Sequence, residues 1–125
     1  MSSKEILNEF KRNIIDFLDE LIDLFPSESQ FVLGRIILKD RIGASEIMAN
    51  FIQYIVPHRA QIEQENDDFF LEHASSLFGP QYENKISHIK VIWKSDNLSV
   101  DDRRTIWSWF KAFLVLSDHY TTSMG

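Results

Sequence analysis

A chain of 125 residues with 44% hydrophobic content suits one compact domain with its own core and is too short for two independent ones. The absence of cysteine excludes a disulfide framework, thiol catalysis and cysteine-ligated metal. A formal net charge of −6 argues against coating nucleic acid by overall attraction, although the acidity is uneven: residues 1–80 hold 7 basic against 14 acidic side chains, and residues 81–125 hold 6 against 5.

With four glycines, three prolines and no sustained period-two alternation, the reading is all-α. Ser2 to Glu5 has the S-x-x-E form of a capping box, which starts a first helix near Ser3, and Pro26 stops it. On that helix Leu7, Phe10, Ile14, Phe17, Leu21 and Leu24 recur at 3,4,3,4,3 spacing, and Ile15, Leu18, Ile22 and Phe25 form a second seam beside them. Together they sweep an arc of about 180°, wider than the roughly 100° stripe of an ordinary surface helix. Such a helix needs cover on two flanks, one from the core and the other from a further helix or a second molecule.

Ser27 to Gln30 repeats the capping pattern, so a second helix is expected to run to about Lys39 with Phe31, Val32, Arg35, Ile36 and Leu38 as its apolar face. Asp40 to Gly43 is a turn, and a third helix from Ala44 carries Ile47, Met48, Phe51, Ile52 and Ile55. Pro57 interrupts it, His58 to Glu65 starts afresh, and Asn66 caps a further turn through Leu71. Beyond Gly79-Pro80 a helix is expected over Tyr82 to Lys94. Ser99, with Asp101 and Asp102 behind it, caps a last helix through Asp118, leaving residues 121–125 as a tail. In that helix Ile106, Trp107, Phe110, Phe113 and Leu114 form a core stripe, and Trp109, Leu116 and Tyr120 line its edge. The architecture expected is an irregular bundle of five to six helices over residues 1–120, with the long first and last helices packed at the centre.

Candidate chemistry is thin. Asp16, Asp19, Glu20 and Asp23 share one helix face, which reads as a docking stripe or, more plainly, as a solvated face balanced in part by Arg12. His58, Glu63, Glu65, Asp67, Asp68, Glu72 and His73 are dense in ligand atoms but lack the H-E-x-x-H or E-x-x-H spacing of a metal site. Neither a G-x-S-x-G elbow nor a phosphate-cradling glycine loop occurs, so no catalytic residue, metal, cofactor or small-molecule substrate is assigned. An enzyme built around His58 and His73 would need both rings to converge with carboxylates in a cleft. Lys85, Lys90, Lys94, Arg103, Arg104 and Lys111 lie among Trp93, Trp107 and Trp109, a footprint of phosphate contact and base stacking if the indoles are open to solvent. Apolar runs such as Ala112 to Leu116 are far below the ~20 residues that span a bilayer, and the N-terminus lacks the regions of a signal peptide, so no membrane partner is expected.

The series Phe17-x-x-x-Leu21-x-x-Leu24-Phe25-Pro26, Phe51-Ile52-x-x-Ile55-Val56-Pro57, Asp68-Phe69-Phe70-Leu71, then Trp93 and Ile106-Trp107-x-x-Phe110-Lys111 resembles small helical proteins of giant nucleocytoplasmic DNA viruses of the marseillevirus and phycodnavirus kind. The resemblance implies a viral protein made in host cytoplasm, a candidate for the virion, with no activity to borrow. The function expected is a non-enzymatic interaction or structural module that forms a homodimer or docks on another viral protein. Ile15, Ile22, Trp109 and Leu116 would be its contact residues. The alternative is nucleic-acid association through Lys85, Lys90, Lys94, Arg103 and Arg104.

Overall fold

The computed structural model describes residues 2–69 and 98–124, and within them every regular element is helical. Helix α1 spans Ser3–Leu24, α2 Ser29–Asp40, α3 Ala44–Tyr54, α4 Arg59–Glu63 and α5 Val100–Met124, with a 3₁₀ turn at Val56–His58. The expected helix over Tyr82 to Lys94 lies outside the described residues.

Side-chain caps set the starts of α1 and α5. The Ser2 hydroxyl accepts from Glu5 N–H and the Glu5 carboxylate accepts from Ser2 N–H, closing the capping box of α1. Ser99 and Asp102 make the same reciprocal pair at α5, at 3.0 and 3.2 Å, and Asn66 Oδ1 accepts from Phe69 N–H. The box expected at Ser27 is absent: α2 begins one residue later behind Glu28, with no side-chain cap. Its other end is closed by Lys11 of α1, whose ammonium donates to the carbonyls of Lys39 and Ile42. The helix expected over His58 to Glu65 ends sooner, at Glu63. Glu65 there takes a left-handed φ of 53° while Asn66 N–H donates to Gln61 C=O, a Schellman-type close with glutamate where glycine is usual.

Among the described residues the first and last helices are the two longest, and they pack together at the centre, as expected. Helix α1 also contacts α2 and α3, and α5 also contacts α3 and α4. The junction is aromatic. Phe10, fully buried, meets Phe51 and Phe113 edge-on at 5.4 and 5.7 Å, and Phe17 meets Phe110 and Phe113 at 5.8 Å. Each such pair adds about 0.5–1.5 kcal/mol beyond the area it buries.

Several core assignments change. Ile6, outside the expected stripe, is buried, whereas Leu24, inside it, is exposed. On α2 only Phe31 of the expected face is buried. Val32 and Ile36 are exposed because the helix turns the Phe31 and Arg35 side toward α1, where Phe31 meets Phe25 and Arg35 pairs with Asp19. The tail expected at residues 121–125 is helical as far as Met124, and the Ser3 and Ser123 hydroxyls are hydrogen-bonded at 2.8 Å.

Candidate interaction surface

The second flank of α1 is covered from within. Helix α2 lies along the seam of Ile15, Leu18, Ile22 and Phe25, with Asp19–Arg35 and Phe25–Phe31 marking the contact. Leu18 is buried there, and Ile15 and Ile22 are half-buried beside it. Leu116, expected as a contact residue, is 8% exposed and belongs to the core cluster. Trp109 is half-buried, its ring against Phe17 and Phe113 and its indole N–H donating to the Glu20 carboxylate. Both owe this to the position of α5, which packs against α1, α3 and α4.

The acidic row of α1 is divided rather than left open. Asp19 pairs with Arg35 of α2 and Glu20 accepts from Trp109 of α5, so two of the four carboxylates tie α1 to its neighbours on opposite sides. Asp16 and Asp23 remain exposed. A polar seam of the same kind joins the α4 region to α5: Trp107 Nε1 donates to Asp67 at 3.1 Å, Arg103 lies 4.0 Å from Asp67, and Lys111 bonds Glu65 at 3.1 Å. Arg59 makes a two-pronged pair with Asp118. Its hydrogen bonds hold the Asp118 carboxyl below the usual carboxylate range and raise the Arg59 guanidinium.

These contacts turn two of the three indoles of the expected nucleic-acid footprint, Trp107 and Trp109, toward neighbouring helices. Trp107 is 2% exposed and Trp109 faces inward, so neither offers a ring face to a base. Arg103 and Lys111 stand beside carboxylates and Arg104 is exposed; Lys85, Lys90, Lys94 and Trp93 lie outside the described residues. His58 is half-buried, its ring 4.9 Å from that of Phe69, and His73 lies outside the described residues. Among the described residues no three His, Asp or Glu side chains gather as metal ligands, and no helix is long and apolar enough to cross a membrane.

Among the described residues, one apolar cluster stands open that the sequence reading did not single out. Val32, Leu33 and Ile36 stand together on the outward side of α2, 41%, 41% and 47% exposed. Phe31 and Leu38 occupy the inward side. The signal available was that α2 is apolar on both sides, while among the described residues its main packing partner is α1 alone.

No protein-family model matches the chain, and no curated protein or solved structure is significantly similar to it.

Proposed function

We propose that this chain is a non-enzymatic protein–protein interaction module whose contact surface is the outward face of α2. The observation that carries the reading is the cluster of three large aliphatic side chains, Val32, Leu33 and Ile36, adjacent on one helix and open to water, since contiguous exposed apolar surface marks an interaction site. The other conspicuous groups, the indoles of Trp107 and Trp109 and the carboxylates of Asp19, Glu20 and Asp67, hold the helices to one another. That supports an internal scaffold more than a reactive centre. Neither the viral origin implied by the resemblance nor a place in the virion is needed for this reading, which rests on α2 alone.

The chain's lack of cysteine makes a clean test available. Leu33→Cys in the full chain, held dilute, should be alkylated by a maleimide nearly as fast in the folded state as in urea. Protection of that thiol in the dilute folded chain would overturn the reading, because it would place α2's face inside the molecule.

A further inference from the structure

We propose that the occupant of α2's outward face is a second copy of this chain, docked antiparallel about a two-fold axis; this rests on the reading of α2 as the contact surface. Ser29, Leu33, Ile36 and Asp40 follow the 4,3,4 spacing of a helix–helix seam, with exposed Val32 and half-buried Ile37 on its flanks. The pairs 29 and 40, 33 and 36, and 32 and 37 share one midpoint, between Gly34 and Arg35. Two such helices running in opposite directions therefore set Leu33 against Ile36 of the second copy twice at the centre, with Val32 of each copy on one side of the seam and Ile37 of each on the other.

Charge decides the direction. Antiparallel docking brings Asp40 of the second copy to Ser29, at a helix N-terminus whose N-cap, Glu28, makes no side-chain cap hydrogen bond and whose first turn holds no acidic residue. A carboxylate is favoured there by the helix dipole. On one flank Lys39 comes within about one helical turn of Glu28 of the second copy. A parallel pair would instead set Asp40 against Asp40, a juxtaposition that repels. A self-complementary face of this kind closes as a dimer. A single helix of 12 residues is a small interface, so the dissociation constant expected is on the order of micromolar.

Sedimentation equilibrium of the full chain should show a monomer–dimer equilibrium. Ile36→Asp should raise the dissociation constant by about 10-fold or more. Asp40→Lys, which leaves the apolar stripe intact, should raise it several-fold. The register is read by disulfides: mixed Leu33→Cys and Ile36→Cys chains should cross-link under mild oxidation. Ser29→Cys alone should not link to itself, because the antiparallel pair holds the two copies of that position roughly 16 Å apart along the axis. A Ser29→Cys self-link would overturn the arrangement. A chain that stays monomeric at millimolar concentration while its Leu33→Cys thiol is freely alkylated would overturn self-association and leave α2 as a surface for another protein. A thiol protected in the dilute folded chain would remove both proposals together.

Discussion

Leu116→Asp and Ile36→Asp place the same carboxylate on two helices whose burial differs sharply, 8% exposed on α5 against 47% on α2. Removing the Leu116 side chain from the core costs about 2–5 kcal/mol. The carboxyl that replaces it meets apolar neighbours, and leaving it without hydrogen-bond partners adds about 1–3 kcal/mol. The sum, about 3–8 kcal/mol, takes a large part of the ~5–15 kcal/mol that holds a typical domain together. Ile36→Asp loses only the contacts of a half-exposed side chain and a little helix propensity, less than about 1 kcal/mol. Urea denaturation followed by helical circular dichroism at dilute concentration separates the two. With a slope of about 1–3 kcal/mol/M, the Leu116→Asp midpoint should fall by about 1 M or more while that of Ile36→Asp stays near wild type. A Leu116→Asp chain with the wild-type midpoint would refute the placement of that residue in the core and return the edge of α5 to the list of sticky surfaces.

Gly34→Ala should stabilise the chain by roughly 0.5–1 kcal/mol in the same urea assay, because an added Cβ meets nothing within 4 Å and the position lies inside α2. Ser99→Ala should cost about 1 kcal/mol by removing the oxygen that accepts from Asp102 N–H; an unchanged midpoint would mean that the box does not hold the start of α5. Because Asp118 has its carboxyl held low by Arg59, its pair contributes stability above the unfolded carboxylate range, near pH 4, and loses it as pH falls through the depressed folded value. Asp118→Asn should therefore cost less than about 1 kcal/mol at pH 7, given how exposed the pair is, and the difference from wild type should vanish in strong acid.

The features legible in the sequence are those a short stretch decides by itself. Ser2 with Glu5, Ser99 with Asp102 and Asn66 with Phe69 are four-residue devices, and each forms. The stripe from Ile106 to Leu114 is buried throughout at the positions its periodicity names. Ser27 failed where these held, because Pro26 and the ring of Phe25 against Phe31 set the entry to α2, and a cap's geometry depends on the path of the chain before it. The end of the short helix after Pro57 was equally hidden: nothing in a glutamate announces the left-handed conformation that Glu65 adopts, and glycine is the usual sign.

Long-range pairing explains the remaining differences. A face of four carboxylates reads as solvated until Arg35 and Trp109 arrive from helices 16 and 89 residues away. Likewise, the 180° arc of α1 states that two flanks need cover, but only the topology says that α2 supplies one of them and α5 the other. Covering α1 in this way moves the exposed surface elsewhere. Helix α2 meets α1 through Phe31 and Arg35, and its opposite side keeps Val32, Leu33 and Ile36 in water. Leaving three adjacent aliphatic side chains there forfeits on the order of 1 kcal/mol each that burial would return, so the face has free energy to gain from any apolar surface matched to it. The register of Leu33 with Ile36, closed at each end by Asp40 at an uncapped N-terminus, makes an identical helix one such match.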